Sequence, residues 1–263
     1  MAEDLGRIDT ERDGEVLIIT LNRPAKLNGL TPEMLDALIT AYTQLEQDND
    51  LRVGLLRAAG DHFTAGLDLP RFQDRFGAGD FAPVGRSQVD PFGLKGRSRS
   101  KPMLCAVKGI CFTAGLELML AADIAVAAHD TRFSQLEPKR GLMAVGGATF
   151  RFVERMGWGE AMRWLLTGDE FDAREALKFG LVQECVETGA EADRALALAH
   201  RIARNAPLAV QATLANARTF ARQGEAAAIA EFDAIAARLA ATDDFAEGVK
   251  SFQEKRNARF QGR

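Results

Sequence analysis

The run VLIITL, residues 16–21, is apolar at every position but Thr20, rich in β-branched side chains, and bounded by Gly14 and by Asn22, Arg23 and Pro24. A segment so short and so evenly apolar predicts a strand buried in a core. A helix is predicted next: Thr31 can cap it, Pro32 suits its first position, and Met34, Leu35, Leu38, Tyr42 and Leu45 recur at helical spacing. VGLLRA (residues 53–58), MLCAVKG (103–109) and IAVAA (124–128) supply further strands. The order strand, helix, strand, loop, strand, helix, strand is that of an α/β fold.

Two regions depart from this alternation. Residues 71–100 are rich in Gly, Arg, Asp and Ser without a sustained period, so a long functional or mobile connection with short helical turns is expected. After Pro207 the chain is Ala-rich and helix-favouring, interrupted mainly at Gly224 and at Thr242-Asp243, which predicts a helical module of three segments. The expected division is therefore a core domain over 1–205 and a helical module over 206–263, packed on its own core or on a neighbouring subunit.

Composition narrows the class. Thirty-three Lys and Arg against 37 Asp and Glu leave a net charge of -4 with no basic block, which speaks against nucleic acid and for a small-molecule partner. Cys105, Cys111 and Cys185 lack the spacing of a disulfide framework or a zinc site, so buried thiols and no metal are expected. The opening MAEDLGRIDTERDG has neither the basic start nor the apolar run of a signal peptide. The apolar window 105–128 is interrupted by Lys108, Glu117 and Asp123, so no membrane span is expected. These readings together predict a cytoplasmic protein.

Two hexapeptides are near-copies: FTAGLD at residues 63–68 and FTAGLE at 112–117. Each can be placed where a strand gives way to a helix. A helix start exposes unpaired N–H groups and the positive end of the helix dipole, and small residues let a ligand approach that backbone. Two such junctions could hold one oxygen between two donors; equally, glycine-containing turns of this kind are common structural parts of α/β folds. Glu117 sits in AGLELMLAAD, a helix apolar nearly all round, where a carboxylate needs a partner or a purpose. Glu137, in FSQLEPKRG, reads as a solvated loop acid unless it faces the same cavity. If the two share one, burial and mutual repulsion push their pKa values apart. The motifs of dinucleotide, P-loop, nucleophile-elbow and zinc-protease sites do not occur in the sequence, and His62, His129 and His200 lack acidic motif partners.

The stretches LNRPAKLNGLTPEML, DHFTAGLDL, KPMLCAVKGICFTAGLELMLAADIAVAA, RFSQLEPKRGL, LLTGDEFDAREALKFGLV and DFAEGVKSFQEKR, in this order, resemble the crotonase superfamily of enoyl-CoA hydratases and isomerases. The resemblance runs almost end to end. It implies a crotonase-like spiral of ββα repeats followed by a C-terminal helical trimerisation module, in homotrimers or hexamers. It implies an acyl-CoA thioester as substrate, with coenzyme A part of that substrate and no separate cofactor.

By position, the resemblance puts the two oxyanion N–H donors on Leu67 and Ala114, the fifth and third letters of their hexapeptides. Both turns then serve one oxygen without being superimposable parts. It puts the two catalytic carboxylates on Glu117 and Glu137, and substrate contacts on Lys26, Ala65, Gly66, Asp68 and Gly115. Both glutamates present favours hydration of a 2,3 double bond. The alternatives are an isomerase, lyase or hydrolase using the same oxyanion hole, or a binding protein on the same fold. The chain has Thr113 and Ala114 where family members commonly carry glycines, Leu136 where a proline is frequent, Pro138 after the glutamate, and Ala144-Val145 for a common Pro-Gly. Its lysine after NRP is displaced by one, to Lys26. These departures point to an atypical acyl group or reaction.

Overall fold

The computed structural model describes residues 4–263; Met1, Ala2 and Glu3 of the acidic opening lie outside them. The strand expected over 16–21 pairs with a neighbour that composition does not announce. β1 (Arg7–Asp13) runs antiparallel to β2 (Val16–Asn22) along the edge of a sheet. An edge strand with one wet face carries charges that blunt further pairing, so β1 reads as polar chain.

A 3-10 turn, Pro24–Lys26, then leads to α1 (Pro32–Gln47). Thr31 caps it through Oγ1, which accepts from the Met34 N–H at 3.2 Å. Such a cap contributes about 1 kcal/mol. β3 (Val53–Ala58) lies parallel to β2. α2 (Leu69–Gly77) opens the aperiodic region, which continues without regular structure to residue 100. There Asp90, buried, accepts from the N–H groups of Phe92, Leu94 and Lys95 and so folds the loop around its own carboxylate.

β4 (Met103–Val107) pairs parallel with β3, and β5 (Ile110–Phe112) leads into α3 (Ala114–Ala121). β6 (Ile124–Ala128) pairs with β4 and β7 (Arg132–Ser134) with β5, both parallel. A 3-10 turn over Glu137–Arg140 precedes α4 (Ala148–Met156) and α5 (Trp158–Thr167). β8 (Phe171–Asp172), α6 (Ala173–Lys178), β9 (Glu184–Val186) and α7 (Glu191–Ala203) complete the core.

The larger sheet runs β1-β2-β3-β4-β6-β9 and the smaller β5-β7-β8. Single parallel bridges, Leu30 to Leu67 and Thr64 to Cys111, carry the smaller sheet back through the two earlier turns of chain. Each turn thus places one strand in the large sheet, one strand or bridge in the small sheet, and then a helix. This is a spiral of ββα units. Both faces of the large sheet are covered, which explains why its strands are apolar at consecutive positions. Leu17, Ile19 and Leu21 face the main core, whereas Val16, Ile18, Val53, Leu104 and Val126 pack under Ala195, Ala199 and Ala203 of α7.

The C-terminal region differs from the three expected segments. α8 (Pro207–Gln223) ends at Gly224, but the next stretch is two helices, α9 (Glu225–Ala230) and α10 (Phe232–Ala240), before α11 (Asp243–Gln253). The extra break falls at Glu231, whose carboxylate is held by Asn216 at 2.8 Å and Thr219 at 3.1 Å. A tertiary contact, with no local breaker, sets that boundary. Among the described residues no helix is long and apolar enough to cross a membrane.

Candidate active site

Successive turns of the spiral lie side by side, and their register decides what the two hexapeptides can do together. Thr64 pairs with Cys111, two residues short of Thr113, its counterpart in spelling. Gly66 accordingly lies against Thr113: a Cβ on Gly66 would fall 1.7 Å from Thr113 Oγ1. The same register sets Leu67 beside Ala114. The two spellings are thus not superimposable, as expected: the fifth letter of the first copy lies beside the third letter of the second, an offset of two.

The amides of Leu67 and Ala114 find no acceptor among the described residues. For Leu67 the cause is the parallel bridge, in which Leu30 takes the Gly66 carbonyl and the Asp68 N–H, both at 2.8 Å, leaving the central N–H outside the ladder. For Ala114 the cause is its position as the first residue of α3, where an N–H has no carbonyl a turn behind it. Thr113, just before it, has φ 51 and ψ -121, a conformation that strains a β-branched residue.

Both residues line a cavity of about 270 Å³ whose other walls include Ala65, Leu69, Phe76, Phe81, Leu142 and Met143. Glu117 and Glu137 open into it as well. Glu117 stands one turn along α3 from Ala114 and is only 3% exposed. It makes no salt bridge among the described residues. Its Oε1 accepts from the Ala148 N–H at the start of α4, 3.1 Å away, and a Cβ on Gly146 would lie 2.5 Å from its Oε2. Glu137 begins the 3-10 turn that Pro138 stiffens, and it lines the cavity half-buried. Gln135, 1% exposed, reaches both of its oxygens at 2.7 and 2.9 Å when its amide nitrogen is turned toward them, the orientation that satisfies both ends of the amide.

Burial is the main cause that pushes both acids up to about 7, with the charge of Glu137 adding to the rise at Glu117 and the Ala148 N–H opposing it. Both are thus raised above the ordinary carboxylate range, and as two acids of one cavity each disfavours ionisation of the other.

The other residues singled out in the sequence have different surroundings. Ala65 lines the cavity; Lys26, Gly66, Asp68 and Gly115 do not. Asp68 is bound to the buried Arg23 at 2.8 Å and to Arg71 at 3.5 Å, fastening the first junction to the turn before it. Gly66 and Gly115 let the turns approach closely, Gly115 lying against Thr64. Lys26 is exposed on its 3-10 turn, next to Leu27, whose carbonyl accepts from Ala65 at 3.0 Å. His62, His129 and His200 are absent from the lining. Gln135 and Arg140 were not legible as site residues; the only hint was their position within three residues of Glu137.

Comparison with known proteins agrees with this architecture. The chain is 37% identical over 258 residues to enoyl-CoA hydratase EchA19 of Mycobacterium tuberculosis, covering 96% of each. It is 30% identical to the 2,3-dehydroadipyl-CoA hydratase of Escherichia coli, covering 98% of this chain and 100% of the other. The crystal structure of a probable enoyl-CoA hydratase/isomerase from Mycobacterium abscessus superposes with a TM-score of 0.93 at 46% identity, over 97% of this chain and 98% of that one. The sequence profile of the enoyl-CoA hydratase/isomerase family matches residues 11–263. An α/β spiral of ββα turns, matched from end to end in sequence and in structure, places this chain in the enoyl-CoA hydratase/isomerase family, the crotonase superfamily.

Proposed function

We propose that the protein is an enoyl-CoA hydratase that adds water across the 2,3 double bond of an enoyl-CoA thioester. The observation that carries this reading is the meeting, in one cavity, of two unpartnered amides from adjacent turns and two carboxyls held near neutrality by burial. The thioester oxygen would lie between the N–H groups of Leu67 and Ala114. Ionised Glu117 accepts a proton from water as its oxygen bonds to the β-carbon, and the electron pair of the double bond moves toward the thioester oxygen. Two preorganised donors stabilise that enolate, each worth about 2.7–4 kcal/mol in barrier. Protonated Glu137 then delivers its proton to the α-carbon, and exchange of one proton between the pair and solvent restores the starting state.

Gln135 would hold the Glu137 carboxyl toward the substrate, and Lys26, outside the cavity, would meet the phosphate end of coenzyme A. The reading assigns no cofactor beyond the coenzyme A that the substrate carries. We also assign self-association, as a trimer or hexamer, to the C-terminal helices.

Purified protein given crotonyl-CoA and longer enoyl-CoAs should form products heavier by one water, and Glu117→Gln and Glu137→Gln should each slow turnover by about 10²- to 10⁴-fold. Products of unchanged mass would make it an isomerase using the same oxygen site. Full activity in the double variant would overturn the assignment of the acids.

A further inference from the structure

A second cavity, of about 580 Å³, shares no lining residue with the first. Its walls are cationic beyond what the nearby acids balance. At its rim Lys95 is paired with Asp80, and Arg97 with Glu46 at 3.1 Å. Deeper in, one carboxylate serves two guanidinium groups: Asp123 takes Arg99 at 2.9 Å and Arg218 at 3.4 Å. Asp90, the other acid of the wall, spends its oxygens on backbone N–H groups.

Three further arginines have no carboxylate among the described residues within salt-bridge distance. Arg151 donates only to the carbonyls of Phe92 and Gly146, Arg155 only to those of Leu120 and Leu181, and Arg222 is exposed at the opening. Carboxylates offset them only at a distance, Glu117, Glu154 and Asp90 for Arg151 and Glu154 and Asp123 for Arg155. Half-buried guanidinium groups without counter-charges are costly to keep. Burial and the charge of Arg155 hold Arg151 down to about 10, and burial with the charges of Arg99 and Arg222 lowers Arg218. An arginine fork matches phosphate oxygens two at a time.

We propose that this cavity is a binding site for a small multivalent phosphate anion, held by Arg151, Arg155, Arg218 and Arg222. Such an anion would supply the counter-charge the wall lacks, and the cavity is large enough for a diphosphate with a substituent. Arg151 also joins the site to the proposed chemistry, since the Gly146 carbonyl it holds belongs to the residue packed on the Glu117 carboxyl.

The test is titration calorimetry of the full chain with inorganic phosphate and inorganic diphosphate in dilute buffer, where screening is weak. The expected result is one diphosphate per chain, bound more tightly than phosphate, and weakened at least about tenfold in Arg218→Gln/Arg222→Gln. Arg222→Gln alone, at an exposed position, should weaken binding with the fold intact and with crotonyl-CoA turnover unchanged. Diphosphate should also raise the melting temperature of the wild type but not of the double variant. Absence of binding, equal affinity in wild type and variants, or displacement of diphosphate by an acyl-CoA would overturn the proposal. So would a change in assembly mass on Arg222→Gln with no diphosphate bound, which would give the cavity to a second copy of the chain. Of these readouts only crotonyl-CoA turnover depends on whether the first cavity performs hydration; the binding, melting and mass measurements do not.

Discussion

Glu117 carries a stability consequence as well as a proposed chemical one. Its carboxyl rises from an ordinary 4.5 to about 7, chiefly through burial. An acid whose folded pKa lies above its unfolded value binds more protons folded than unfolded between the two, so stability falls as pH climbs from about 4.5 to about 7. The loss amounts to up to about 3 kcal/mol for this one group. Glu117→Gln keeps an oxygen for the Ala148 N–H and removes the charge; urea titrations at pH 5 and pH 8 should therefore differ less for the variant than for the wild type. An equal pH dependence in both would show that the buried carboxyl is not the cause. Gly66 offers a second test at this scale. A Cβ there meets Thr113 Oγ1 at 1.7 Å, so Gly66→Ala should destabilise by more than about 2 kcal/mol and push the two turns apart. Because the obstructing atom belongs to Thr113, adding Thr113→Gly should restore part of the loss and also relieve a strained φ of 51. Purely additive effects of the two changes would place the clash elsewhere.

At the scale of elements, the proposed site depends on where α3 and α4 begin. α3 supplies the free Ala114 amide and, a turn later, Glu117; α4 supplies the Ala148 N–H that Glu117 accepts, with Gly146 packed against the same carboxyl. Gly146→Ala should move the carboxyl rather than unfold the chain, lowering kcat by at least about tenfold with little change in KM. A fall in KM and kcat together with a lower melting temperature would instead mean that α4 itself had shifted. These junctions also mark what the sequence could tell. β2, α1 and β3 were legible because burial on two faces, a Thr cap and helical spacing each leave a local mark. Glu117 was legible as a carboxylate with no reason to be buried. The register of Leu67 against Ala114 followed only from the family resemblance and left no local mark, because the parallel pairing of Thr64 with Cys111 is a long-range fact that the repeated spelling does not carry. β1 and the break at Glu231 escaped for related reasons, one hidden by solvent-facing charges and the other set by Asn216 and Thr219 a helix away.

For the whole molecule, the C-terminal helices pose the remaining question of packing. α8–α11 pack chiefly on one another, yet α11 turns Phe245, Val249 and Phe252 outward, the last 86% exposed, along an apolar cavity of about 600 Å³. Each phenylalanine withdrawn from water contributes about 1.5–3 kcal/mol, and a free monomer would forgo that at several positions at once. A second copy of the chain is the partner that the family likeness implies, and a closed ring of copies would cover every such face without leaving one open. Sedimentation equilibrium should accordingly return three or six times the chain mass of 28.6 kDa. Phe245→Asp/Phe252→Asp should sediment as one chain at the same concentration, because two buried charges without partners cost more than the contact returns. The circular dichroism of that variant should stay helical, since neither side chain belongs to the buried core. A wild type that sediments as a monomer would leave this apolar face to some other partner and remove self-association from the proposal, while the two amides and two acids, all supplied by one chain, would still stand together.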